Sequence, residues 1–315
     1  MKSNGTFAKA ACLIAIAAAI PSCSNDVTGS RSLIVSGIVR VRDGAPLAGA
    51  TVRFLERAGS VAAPVRMSAR APATAPRPTA VVTDAQGRYA IAVSKGHYDI
   101  WIGGGVADSS IMSVPVTDVT IGASWVSLDL SYPGYRVTGR MSQLGSFLAS
   151  GSVVAMDGTN TALARLRDTG PPHFSERTYS LLLPAGTYDF WANPNEGYWG
   201  VPRVKFEGIT VNADTTIDWA CDGHFVQGHV TGPGGVILYG AIVSAVAPGA
   251  SAWNYTDSNG FYGLHLPDGN YIFTVTPPPG ADSLGTVHYP EVVDAPRTID
   301  FSVPLATVLP PPGPP

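Results

Sequence analysis

Cysteine is nearly absent from this chain, with 3 in 315 residues. Cys12 and Cys23 fall in an apolar N-terminal stretch, which leaves Cys221 as the single thiol of the remainder. One thiol makes neither an internal disulfide nor a zinc cage. Charge is also scarce: charged residues make up 14% of the chain, and the net charge of −3 offers no basic excess to favour nucleic acid. Long runs of helix formers are missing after residue 22, and the whole chain is punctuated by 35 glycines and 27 prolines. The chain has no HExxH pair, no G-x-S-x-G elbow and no phosphate-cradling glycine loop. His173 and Glu176 form an HxxE, but Pro171 and Pro172 precede it and a strand-like TYSLLL follows. Asp84 and Asp257 each supply one carboxylate to a turn, far fewer oxygens than calcium needs. Asp99, Asp189 and Glu196 are the acids a glycosidase would require, but nothing in the sequence marks them as a pair. No cofactor, no metal site and no enzymatic activity are expected.

What is present is apolar and turn-rich. Hydrophobic residues reach 45%, enough for real cores. The first 22 residues stand apart, with Lys2 and Lys9 ahead of an apolar stretch from Ala10 to Ile20 that is too short to span a bilayer. Residues 1–22 therefore read as a signal peptide, and removing them shifts the net charge from −3 to −5, since they hold two lysines and no acids. The ending IPSC resembles the lipobox of bacterial lipoproteins. That resemblance implies lipid on Cys23, a membrane anchor and, with Ser24 behind the cysteine, the outer membrane of the cell envelope. Ordinary secretion with cleavage nearby is the alternative.

The remainder contains three copies of one unit. Tyr89 and Tyr98, Tyr179 and Tyr188, and Tyr262 and Tyr271 are each nine residues apart. Gly37 to Ala50 and Gly228 to Ala241 both span thirteen. TDAQGRY at 83–89 matches TDSNGFY at 256–262, whereas the middle copy lacks the Thr-Asp pair. Apolar residues alternate with polar ones between turn residues, which predicts strands. TDxxGxY reads as a hairpin turn, with the Asp accepting from backbone N–H groups and the Gly at positive φ. Closing strands are expected at VSLDL 126–130, TIDWA 216–220 and TIDFSV 298–303. In TIDWAC, Ile217, Trp219 and Cys221 share one face, so Cys221 reads as buried and inert.

These residues resemble the carboxypeptidase regulatory-like domain, a small transthyretin-like β-sandwich. Copy one carries the pattern at Gly37, Pro46, Leu47, Gly49, Ala50, Val52, Thr83, Asp84, Gly87, Tyr89, Gly96 and Tyr98. Copy three carries it at Gly228, Gly240, Ala241, Val243, Thr256, Asp257, Gly260, Tyr262, Gly269 and Tyr271, and copy two keeps only its ends. The resemblance implies an all-β chain of three tandem antiparallel sandwiches and is nearly silent on activity. The expected layout is signal 1–22, linker 23–31, repeats at 32–131, 132–222 and 223–306, and a Pro-rich tail at 307–315. An Ala/Pro/Arg-rich loop at 58–79 interrupts the first repeat.

GHYDIW at 96–101 and GTYDFW at 186–191 share four of six residues. Strand alternation puts Tyr98, Ile100 and Ile102 in one core and Tyr188, Phe190 and Ala192 in the next. Asp99 with Trp101, and Asp189 with Trp191, then face outward. Copy three has Ile272 and Thr274 instead, so the fold does not need the Asp–Trp pair. An outward Trp packs on a neighbouring domain or crossing loop, or serves as a stacking platform for a ligand. Around Trp191 stand Asn193, Asn195, Glu196, Tyr198 and Trp199, a mixture suited to carbohydrate. The expected function is a non-catalytic binding or adhesion module, with polysaccharide or envelope proteins as partners. The alternative is a structural spacer or assembly subunit, and a hydrolase is the third reading.

Overall fold

The computed structural model describes residues 33–57, 79–104, 109–122, 126–144, 146–148, 150–168, 177–194 and 200–306. The signal segment, Cys23, His173, Glu176, most of the loop at 58–79 and the tail at 307–315 lie outside them. The described chain is all-β: three sandwiches in tandem, with one 3-10 turn at Pro233–Gly235 and no α-helix among the described residues. Each sandwich is built around one hydrophobic core, and the first two cores exchange Met112 and Leu182. The described residues all fall in one compact unit.

In the first repeat, Leu33–Arg40 pairs with Arg88–Val93 to make one layer. The other layer runs in the order Thr79–Val82, Ala50–Glu56, Gly96–Gly104, Val114–Ile121. The second and third repeats follow the same plan, and their equivalent layers join edge to edge. Arg203–Val211 pairs with Ala250–Tyr255 to produce an eight-stranded sheet. Two expectations need correction. The closing strands pair parallel, not antiparallel, with the first strand of each repeat, as Val35 with Val126 and Val226 with Arg297 show. The TDxxGxY turn is not a hairpin within one sheet, because it carries the chain from Thr79–Val82 in one layer to Arg88–Val93 in the other.

The repeated residues have physical roles. The hydroxyl of Tyr89 donates to the Leu128 carbonyl at 2.7 Å, Tyr179 to Ile217 at 2.8 Å, and Tyr262 to Ile299 at 2.9 Å. Each bond holds the closing segment against the first strand. A β-carbon at Gly37 would sit 1.9 Å from that same Leu128 oxygen, one at Gly139 1.8 Å from Ile217 O, and one at Gly228 1.9 Å from Ile299 O. Only glycine lets the two backbones meet there. The second tyrosine of each pair bonds a carbonyl four residues earlier: Tyr98 to Ser94, Tyr188 to Pro184 and Tyr271 to Pro267. These bonds pin the corner between layers.

Thr83 and Thr256 are buried; each hydroxyl accepts from one strand's amide and donates 2.6 Å to the Leu47 or Leu238 carbonyl. Asp84 and Asp257 accept from amides of their own turns. Gly87 and Gly260 sit at φ 72° and 73°. Acids in the closing segments are likewise committed to backbone, Asp129 to the Ile38 amide, Asp218 to Arg140 and Asp300 to His229.

Candidate functional site

The strands Gly96–Gly104 and Gly186–Pro194 place their side chains as alternation requires. Tyr98, Ile100, Ile102, Tyr188, Phe190 and Ala192 are buried. Asp99, Trp101, Asp189, Trp191 and Asn193 lie half-buried on the outer face. Asn195, Glu196, Tyr198 and Trp199 fall outside the described residues, as does Cys23.

Trp191 has a partner on one face of its ring. The Arg203 guanidinium lies 4.1 Å from its ring centroid, a cation–π arrangement that covers one face of the indole. Directly across the pair of strands from Trp191 is Lys205. Its ammonium donates to Asp189 at 2.9 Å and to Glu207 at 2.6 Å. Lys205, helped by the Gly208 amide at 3.1 Å, holds the Asp189 carboxyl below the usual carboxylate range. The Asn193 side chain donates to the Trp191 carbonyl at 3.3 Å.

The first repeat repeats this solution with different residues. Arg57 donates through Nε to Asp99 at 2.8 Å and lowers its pKa by that bond. Arg53 and Pro115 flank Trp101 on the neighbouring strands. In the third repeat the equivalents Ile272 and Thr274 face Val246 and Pro290, and Ser244 and His288. Lysine or arginine partners therefore stand opposite the Asp–Trp strands, and none stands opposite Ile272 or Thr274. The sequence signal for Arg203, Lys205 and Glu207 is the period-two charge in RVKFE.

Cys221 is fully buried, and burial together with the Asp222 charge pushes its thiol up to about 12, so it is no nucleophile at neutral pH. Among the described residues, no three His, Cys, Asp or Glu side chains are placed to hold a metal ion, and no helix is long and apolar enough to cross a membrane.

A feature the sequence reading missed lies between the two layers of the third repeat. A surface pocket of about 650 Å³ is lined by Phe225, Tyr239, Tyr255, Phe261 and His265 among others. Phe225 and His265 pack at 5.1 Å between ring centroids, and Tyr239 is 70% exposed. Backbone from the second repeat lies between two strands that line this pocket, Ala250–Tyr255 and Phe261–Leu266: the Gly200 amide donates to the Trp253 carbonyl at 3.0 Å, and the His265 amide donates to the Gly200 carbonyl at 2.7 Å. The second repeat is entered in the same way. Leu163 and Leu182 donate to the carbonyls of Ser109 and Ser110, both at 2.9 Å, and Met112 donates back to Leu182 at 3.0 Å.

No family model and no curated protein matches this chain. Among solved structures, it is similar to the Bacillus anthracis TIE protein at 12% identity and TM-score 0.23, over 87% of this chain and 51% of that one. The chain thus spans about half the length of that protein. It is also similar to BcpA, the major pilin subunit of Bacillus cereus, at 11% identity and TM-score 0.22, over 88% of this chain and 100% of that one. A third likeness is to GBS52, the minor pilin of Streptococcus agalactiae, at 13% identity and TM-score 0.27, over 57% and 99% of the two chains. Likeness at this level carries no argument about function.

Proposed function

We propose that this chain is a non-catalytic structural protein of the cell envelope: a spacer or assembly subunit of three carboxypeptidase regulatory-like sandwiches, exported and anchored through lipid on Cys23. The observation that carries this reading is the way consecutive repeats are joined. Backbone of one repeat enters the cleft of the next at both junctions and is hydrogen-bonded on both sides. Cores are shared as well, since Met112 is fully buried in the second core while Leu182 of the second repeat packs in the first. Such joints suit a part that must hold its shape. The outward Asp–Trp pairs support the same reading, because their charges and one Trp191 face are already used within the sheet.

Calorimetry together with a glycan array on the full chain tests this. The reading expects the three repeats to unfold in one coupled transition and no glycan to be retained. Trp191→Ala should lower stability by about 1 kcal/mol through the lost cation–π contact and packing. Glycan binding by the full chain that disappears in Trp191→Ala would restore the adhesion reading.

A further inference from the structure

The entering segment occupies one fixed position in every repeat. Val114, Val204 and Val287 are cross-strand partners of Ile102, Ala192 and Val275. Four residues before each valine stand Ser110, Gly200 and Ser283. The carbonyls of Ser110 and Gly200 accept from Leu182 and His265, each three residues beyond the first tyrosine of the following repeat. The Ser283 carbonyl instead accepts from the Ala306 amide at 2.7 Å, and the Gly285 amide donates to the Pro304 carbonyl at 2.8 Å. Met112, which matches Gly285, makes its corresponding bond to the Leu182 carbonyl. Residues 304–306 thus supply, from the same chain, both bonds that Leu182 supplies at the first junction.

The matching receptor in the first repeat is Ala92, three residues beyond Tyr89. Ala92 pairs with Ile34, and the Ile38 amide, which has the same parity as Ile34, turns away from this strand to Asp129. By the alternation of an antiparallel ladder, the amide and carbonyl of Ala92 point outward from the sheet edge. Ala80, equivalent to Leu163 and Trp253, stands across the cleft, and both alanines are exposed. Among the described residues no strand pairs with that side of Arg88–Val93. An edge with no partner among the described residues is a template for strand addition.

We propose that the Ala80–Ala92 cleft of the first repeat receives the Asp282–Gly285 segment of a second copy of this chain, displacing residues 304–306 from it. The contact reuses the geometry of the two internal junctions. It is heterologous, so it joins copies head to tail, into a ring where the rotation closes and an open chain where it does not. Residues 304–306 compete as an intramolecular strand at an effective concentration of about millimolar, which keeps micromolar protein monomeric. This proposal rests on the structural reading above.

Sedimentation velocity on the full chain tests it. Ala306→Pro removes the amide that caps Ser283 and should raise self-association about tenfold. Adding Ala92→Pro removes the receiving amide at an edge position that tolerates proline and should return the chain to monomer. A folded Ala306→Pro chain that stays monomeric overturns the proposal, as does association that Ala92→Pro leaves intact, which would point to another partner surface. Should Ala306→Pro not fold, the wild-type chain decides: at about millimolar concentration the Ala92 amide must exchange more slowly than in dilute solution. Unchanged exchange overturns the proposal. Monomers throughout would leave the structural reading standing, since its two junctions lie within one chain, whereas separate unfolding of the repeats would remove that reading alone.

Discussion

The two junctions between repeats use the same entry point but are held differently. At the first, side chains change sides: Met112 is fully buried in the second core, Leu182 is nearly so in the first, and the buried Tyr132 hydroxyl bonds the carbonyls of both at 2.7 and 3.1 Å. At the second, the backbone runs on from sheet to sheet. Arg203 and Val204 pair with Ser251 and Ala250, and the Lys205 amide donates to Gly249 at 2.8 Å. Interlocked cores concentrate stabilisation in a few apolar side chains, while a continued ladder spreads it over peptide groups that no single side-chain truncation removes.

The first junction should therefore be the more fragile to truncation. Met112→Ala is expected to cost about 2–5 kcal/mol, the range for emptying a buried methionine site. Urea denaturation measures this, and a loss below 1 kcal/mol would mean the site collapses without consequence. At the second junction only a backbone change should register. Ser251→Pro removes an amide from the shared sheet and should cost about 1–3 kcal/mol, while Ser251→Ala should be close to neutral. Equal effects of Pro and Ala would break the contrast. Tyr188→Phe, which leaves the Pro184 carbonyl without its donor inside one repeat, should cost about 1 kcal/mol and leave both junctions intact.

The smallest effect concerns pH. The folded-state pKa of Asp189 is depressed by Lys205, so its contribution is present above the unfolded value of about 3.9 and is lost as pH falls through the folded value. The melting temperature should fall across that acid window, and less so in Asp189→Asn. Because the carboxylate is partly exposed to solvent, the difference should also shrink in high salt.

Much of each repeat was legible because its signals are local. Tyrosine spacing, the Thr-Asp turn and strand alternation placed Tyr98, Ile100, Tyr188 and Phe190 in cores without any long-range knowledge. The inertness of Cys221 followed from TIDWAC alone. The parallel closing strands were not legible, since an isolated strand carries no mark of its partner's direction. The joints were hidden for a related reason. Ser109, Ser110 and Gly200 act through backbone groups that every residue possesses, and the register that aligns them with Leu163, Leu182 and His265 emerges only on folding. The Asp–Trp face lay between these extremes: its orientation was readable, but its partners Arg203 and Lys205 come from a strand some twelve residues further on.

Amide hydrogen exchange at three equivalent positions tests the central claim most directly, because Ala92, Leu182 and His265 occupy one place in three copies of one fold. If backbone insertion joins the repeats, the Leu182 and His265 amides, bonded at 2.9 and 2.7 Å to the preceding repeat, should be strongly protected. The Ala92 amide should exchange quickly in dilute solution. Leu182 and His265 exchanging as fast as Ala92 would contradict the account and return the chain to three sandwiches that merely follow one another.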